Sequence, residues 1–428
     1  MESNAVERIL SDDTPQSSEA FSGYRWTYHD SLQEGPIRSR AESFSASVDW
    51  SSLLQYAAKR RNGSSCHLLR DIGLGYNHMV RIIQFDDGVR WVARLRMPPI
   101  GTSAVSENSD QSVEAVENCE YNTISLVRQK TSIPVPEVHA IEARRDCDVK
   151  APFMLMDCLP GNVGMDLGMK IPPGYKQTFL RRLAEIHASR RSVPSTPLTN
   201  PSQVQLATVQ LPMIGTIVSR NEDGTYRQGP IRGLGGPFNT ATEFFQAWAA
   251  KTTFGMTDEE LRKASGQYAD EIIPSVSSFP KSISDLASRL SARDHGPFPL
   301  CHGDFGHNNI IVDDEYRVLG LIDWEASFAG PWEMFADFPL TLSMVPPAID
   351  VPWNYNEQGD PVTDELKQQL ADQKSYVAVV KEAEDRRGTD NSLSDALKNW
   401  KRQQLVTAMR LYQRGKVGWY SKLIDEFA

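Results

Sequence analysis

A chain of 428 residues is long enough for two domains, each with its own buried core. Apolar residues at 40% and charged residues at 23% exclude wholesale disorder and a membrane protein, and no apolar run approaches the roughly 18 residues of a spanning helix. A formal charge of −10, from 45 basic and 55 acidic residues, argues against a nucleic-acid binder.

Residues 1–45 are rich in Ser, Glu, Asp and Pro with isolated aromatics, which predicts a mobile or draped tail. Its first twenty residues are acidic where a secretory signal is basic and then apolar, so a cytoplasmic protein is expected. The five cysteines, with no C-x-x-C pair, read as reduced core thiols. VDWSSLLQYAAKRR carries Trp50, Leu53, Leu54 and Ala57 at helical spacing. CHLLRDIG, MVRIIQF and VRWVARLRM then predict three antiparallel strands, the first pair joined by a loop bearing Gly73 and Gly75 and the second by Asp87-Gly88. In the third strand, alternation sets Val92 and Arg94 on one face and Trp91, Ala93 and Leu95 on the other. SVEAVENCEYNTISLVRQK predicts a helix, ended by the extended SIPVPEV.

APFMLMDCLPG reads as a buried strand that breaks at Pro160-Gly161, and LRRLAEIHASR as a helix. Residues 192–236 turn to Pro, Ser, Thr and Gly around a hairpin-like IGTIVSRNEDGTYRQG, the signature of an insertion. Helices are predicted at TEFFQAWAAKT, at SISDLASRLSARD and from DELKQQLADQ onward, with Ser392 and Asp395 as an N-terminal cap. Strands first and helices after describe an α+β protein of two lobes, divided here into the tail (1–45), an N-lobe (46–157) and a helical C-lobe (158–428). A ligand is expected between them.

The chemistry concentrates in CHGDFGHNNIIV and LIDWE. The apolar runs between them are separated by Asp313-Asp314-Glu315, and a hairpin folded there makes Asn309 and Asp323 neighbours, with Asp304 a few residues further back. One amide, one carboxylate and a separate carboxylate suit phosphoryl transfer, in which oxygen ligands hold Mg²⁺ on nucleotide phosphates and the free carboxylate takes a hydroxyl proton. A metal cluster of His302, Asp304 and His307 fits less well, because a phosphate-linked cation prefers oxygen. His302 reads as a brace of the loop, and His307 as a substrate contact or an exposed residue.

H-G-D-x-x-x-x-N followed by I-D-W-E resembles the motifs of the aminoglycoside phosphotransferase (APH) and choline kinase family, in its fungal-type members. The likeness extends over roughly residues 50–345, through GLGYNHMVRIIQFDDGVRWVARL, IPVPEV, FMLMDCLPG and LAEIH. It implies a protein-kinase-like two-lobed fold, with a small antiparallel-sheet N-lobe and a mostly helical C-lobe. It also implies ATP and Mg²⁺ as cofactors and a small-molecule hydroxyl as acceptor, with no nucleic-acid or membrane partner. Asp304 then stands as catalytic base, and Asn309 and Asp323 as metal ligands. Gly73, Gly75 and Asn77 lie over the phosphates. Arg94 stands where kinases usually carry lysine, paired with Glu120, or with Glu117 one turn earlier. The backbones of Met156 and Cys158 meet the adenine edge. Glu333 and Asp337 either hold a cationic acceptor or brace the lobe. The rival expectation is the same fold kept for non-kinase chemistry or ligand binding in small-molecule (secondary) metabolism without ATP turnover, or as an interaction scaffold. The Arg94 departure leaves phosphoryl transfer itself open.

Overall fold

The computed structural model describes residues 21–26, 32–99, 110–188, 206–358, 360–388, 390–425 and 427. Parts of the expected tail (1–20 and 27–31) and of the insertion (192–205) lie outside the described residues. The chain packs as two compact units. One is formed by Met1–Arg128, Pro134–Tyr175 and His307–Glu325, the other by Gln129–Ile133, Lys176–Gly306 and Ala326–Ala428. The fold is α+β, with an antiparallel sheet towards the N-terminus and a mostly helical C-terminal part.

In the first unit, helices α1 (Pro36–Ser47) and α2 (Trp50–Arg60) precede strands β1 (Cys66–Leu74), β2 (His78–Phe85) and β3 (Arg90–Arg96). Helix α3 (Asp110–Lys130) follows, then β4 (Val138–Glu142) and β5 (Phe153–Asp157). The five strands form one antiparallel sheet in the order β1-β2-β3-β5-β4. Asp87-Gly88 turns β2 into β3, and Gly88 takes the positive φ of 83° that such a turn requires. Trp91, Ala93 and Leu95 point into the core, as their alternation predicts, beside Met79, Ile83, Phe85, Phe153 and Leu155. Ala41 and Phe44 of α1 join the same core, so the stretch from Pro36 onward is helix packed on the sheet, where a mobile or draped tail is expected.

The second unit holds α4 (Pro173–His187, all but its first turn), the short strand β6 (Gln210–Leu211), and the hairpin β7 (Thr216–Arg220) and β8 (Tyr226–Gly229). Helices α5 (Ala241–Lys251), α6 (Asp258–Ser265) and α7 (Ala269–Leu290) come next, then β9 (Phe298–Cys301). Strands β10 (Ile310–Val312) and β11 (Val318–Leu321) belong to the first unit, and β12 (Phe328–Ala329) closes a three-stranded sheet β12-β9-β6 in the second. The chain ends in α8 (Trp332–Phe335), α9 (Asp364–Arg387), α10 (Ser392–Lys398), α11 (Trp400–Gln413) and α12 (Tyr420–Asp425). Trp248, Phe279, Tyr412 and Tyr420 stack into one aromatic core, with ring centroids 4.7–5.9 Å apart.

The expected cap of α10 is corrected. Its N-cap is Asn391, in the left-handed region with no side-chain cap bond, and the first amides of the helix, Leu393 and Ser394, donate instead to the Glu384 carboxylate of α9 at 2.9 and 3.1 Å. Among the described residues no helix is long and apolar enough to cross a membrane.

Candidate active site

The β10–β11 pair folds at Asp313-Asp314-Glu315 as its sequence predicts, and Ile322 donates its amide to the Asn309 carbonyl at 3.0 Å. The ends that carry Asn309 and Asp323 are therefore side by side. Asp323 has a φ of 64°, a left-handed conformation that Asp tolerates better than most residues with a Cβ.

Behind Asp323 lies a network of charge. The Arg94 guanidinium on β3 donates to Glu120 Oε2 of α3 at 2.5 Å and to Asp323 Oδ1 at 2.8 Å. Glu120 is the partner expected of Arg94, and its other oxygen accepts from the Trp324 amide at 3.1 Å. Two residues along β3, Arg96 makes a second rung, reaching Glu325 at 2.8 Å and Glu117 at 3.2 Å. The Asn77 side-chain amide donates to Glu325 at 2.7 Å, so the donor expected over the phosphates is engaged by a carboxylate in this state. His78 sits 3.5 Å from Glu117, and burial holds its pKa below the usual range against the pull of that carboxylate.

Four carboxylates thus face two guanidinium groups. Burial works against the charge of Arg94, but Glu120 and Asp323 more than offset it and keep the group protonated. Burial together with the surplus of negative charge pushes Glu120 up to about 7 against the pull of Arg94. A divalent cation fits such a surplus. The expected ligands, Asn309 and Asp323, supply hard oxygen donors. Among the described residues no group of three or more His, Cys, Asp or Glu is arranged to hold a metal by itself. Mg²⁺ has no need of such a cage where phosphates complete its shell.

The glycine loop is a tight connection in which Gly75 donates to the His78 carbonyl at 2.9 Å. Gly73 lies within β1 opposite Val80, and a Cβ there would come within 3.2 Å of the Trp26 ring. Met156 is paired with Val92 on one side and Val138 on the other, and the Cys158 amide donates to the Arg90 carbonyl at 3.3 Å, so that amide serves the sheet. The Cys158 thiol meets the Tyr24 hydroxyl at 3.1 Å.

In the second unit, Asp304 follows Gly303, whose φ is 83° and whose missing Cβ would fall 2.2 Å from the Ala326 carbonyl. Only glycine admits that approach. Arg414 stands 4.0 Å from the Asp304 carboxylate. His302 is buried, as a brace should be. His307, in the first unit, is fully buried against Gly164 and Tyr316 and so is not exposed. Glu333 accepts from Ser291 and the Ala292 amide, both at 2.8 Å, and Asp337 from Thr407 and Arg410, both at 3.1 Å. Both carboxylates brace their unit.

Arg96, Glu117 and Glu325 form a second rung that sequence reasoning did not assemble, although each repeats the charge of a first-rung residue one period on.

The profile of the phosphotransferase enzyme family (APH) matches residues 70–356, which include every residue of both rungs and Asp304. The chain belongs to the phosphotransferase enzyme family. As a member it is a phosphotransferase. It is 26% identical over 321 residues to the clavilactone A biosynthesis cluster protein Y of Ampulloclitocybe clavipes, a match covering 69% of this chain and 71% of that one. Among solved structures it resembles a protein of Ralstonia eutropha JMP134 assigned as an aminoglycoside phosphotransferase. There the identity is 16% and the TM-score 0.45, over 86% of this chain and 99% of that one. A thermostable mutant of the aminoglycoside phosphotransferase APH(4)-Ia, solved with ADP and hygromycin B, gives 15% identity and a TM-score of 0.43 over 88% and 97%.

Proposed function

We propose that this phosphotransferase is an ATP- and Mg²⁺-dependent small-molecule kinase that phosphorylates a hydroxyl of its acceptor. The observation that carries the reading is the three-element rung of Arg94, Glu120 and left-handed Asp323, with more carboxylate than guanidinium charge around it. That rung holds a cation where phosphates need one and leaves negative charge where a metal needs it.

In this reading Asn309 and Asp323 hold the metal, and the bound Mg²⁺ neutralises phosphate charge. Arg94 supplies a fixed cation to the same phosphates. Lysine is a point charge, whereas the arginine fork reaches two carboxylates on two elements at once, and that double anchoring fixes its direction. Asp304 accepts the proton of the acceptor hydroxyl or orients it for attack. With Glu333 and Asp337 both engaged internally, the site offers a cationic acceptor no handle at those two positions.

Isothermal titration of ATP with and without Mg²⁺, against the protein and Asp323→Asn, tests the reading. Mg²⁺-dependent binding is expected in the first and its loss in the second. ATP binding indifferent to both Mg²⁺ and the substitution removes Asp323 from the metal site, and product formation by nucleotide-depleted protein overturns the kinase itself.

A further inference from the structure

Residues 21–26, FSGYRW, lie in an otherwise polar N-terminal stretch and carry three aromatic rings, Phe21, Tyr24 and Trp26. They are held at four points along the first unit. Ser22 donates to Asp314, at the β10–β11 turn, from both its amide (2.6 Å) and its hydroxyl (2.9 Å). The side chain of Asn162 then clasps the backbone, accepting from the Arg25 amide at 2.8 Å and donating to the Gly23 carbonyl at 3.0 Å. Asn162 is itself fixed, because its own backbone exchanges two 2.9 Å hydrogen bonds with Val312. The Tyr24 hydroxyl meets the Cys158 thiol, and Trp26 lies against Gly73. Phe21, Tyr24 and Trp26 also pack on one another, with centroids 4.9 and 5.3 Å apart.

An amide that accepts from one residue and donates to its near neighbour imitates a strand partner, so the segment is registered and not merely adsorbed. Two of its four anchor points, Gly73 and Cys158, are positions that the family resemblance assigns to the phosphate loop and the nucleotide base. Aromatic rings placed there cover a surface that a purine would cover in the same way.

We infer that residues 21–26 form a strap that occupies the nucleotide surface of the chain's own first unit, with Tyr24 in place of the base and Trp26 against the glycine loop, so that strap and nucleotide exclude one another. The inference rests on the proposed nucleotide site. A ligand that binds only the undocked form has its apparent affinity reduced by the fraction of molecules in that form. Linkage makes the effect reciprocal, so nucleotide releases the strap to the extent that the strap opposes nucleotide. With Tyr24 docked on it, burial pushes the Cys158 thiol up to about 11.

The experiment uses the full chain and Tyr24→Ala/Trp26→Ala, which removes the two rings and leaves both rungs and Asp304 untouched. Asp314→Asn is the second variant, loosening the strap at its far end without touching the glycine loop or Cys158. Undocking is read without nucleotide, as the rate at which a neutral maleimide labels Cys158, located by peptide mass mapping. Affinity for ATP is read by isothermal titration. The expected result is faster Cys158 labelling and an ATP affinity about tenfold tighter in the double variant, with a smaller shift of the same sign in Asp314→Asn. Faster labelling with unchanged ATP affinity overturns the strap and leaves the nucleotide reading standing. Unchanged labelling overturns the docked contact itself. If neither the protein nor the double variant binds ATP, the strap and the nucleotide reading fall together.

Discussion

Arg94 differs from the lysine usual at its position by a second arm, and the structure uses both arms. Removing one partner of a buried, charged set leaves the other uncompensated, at a cost of about 3–5 kcal/mol. Arg94→Ala is therefore expected to lower stability by about that amount in urea unfolding. Arg94→Lys should recover part of the loss, since an ammonium can satisfy Glu120 but does not fork to Asp323. Equal stability of Arg94→Ala and the parent would show that the rung contributes nothing to folding. Asp304 belongs to the chemistry and not to the core. Asp304→Asn should leave the unfolding midpoint and ATP affinity where they are and lower turnover by about two to four orders of magnitude. Full turnover in that variant would assign the proton to another group.

Sequence pattern spoke clearest at the element scale where one physical signal was strong and unopposed. Asp87-Gly88 marked a hairpin, and Asp313-Asp314-Glu315 marked the turn that makes Asn309 and Asp323 neighbours. Elements escaped notice where signals conflicted or were faint. Helix α1 buries only Ala41 and Phe44 of twelve residues, too little for a visible stripe. Helix α7 begins well before the predicted SISDLASRL because it runs through Pro274 and Pro280, each of which removes an amide donor. Its buried line of Ile272, Val276, Phe279, Ile283, Leu286 and Leu290 overrides that loss. The second rung stayed hidden because Arg96 and Glu325 read equally well as solvated charges on a strand and a loop, and Glu117 as an alternate partner of Arg94. Tyr24 and Trp26 read as stray aromatics. The α9–α10 corner shows the same limit, since the acceptor for α10 comes from another helix. Glu384→Ala leaves the Leu393 and Ser394 amides buried without that acceptor and should cost about 1–3 kcal/mol in chemical denaturation, whereas Asp395→Ala, at the cap position expected from sequence, should cost little.

Across the molecule, titration behaviour reports on how deeply polar groups are built in. His187 of α4 joins α9 and α8, with its ring nitrogens 3.1 Å from the Tyr376 hydroxyl and 2.9 Å from the Phe335 carbonyl. Burial pulls its pKa down to about 4 from an ordinary 6.5. The unfolded chain then binds the proton more tightly than the folded one. Stability from this group is complete above pH 6.5 and is lost as pH falls towards 4, by an amount on the order of 3 kcal/mol. His187→Gln should flatten that part of the pH–stability profile, and an unchanged slope between pH 6.5 and 4 would show that His187 is not the group responsible. The two rungs bear on how the whole sheet finds its place. Because Arg94 and Arg96 are two residues apart on one face of β3, sliding that strand by two residues would still set a cation against a carboxylate and still turn Trp91, Ala93 and Leu95 inward. The rung that Val92 would then meet loses its guanidinium while the other keeps one, and the hydrophobic pattern is blind to the error. Shape is not: the slip would drive the Trp91 ring, now edge-on to Phe85 at 4.9 Å and stacked on His139 at 4.1 Å, into a space cut for the single methyl of Ala93. A small residue between two large ones acts as the strand's ruler, and enlarging Ala93 would make misaligned sheets compete with the native one.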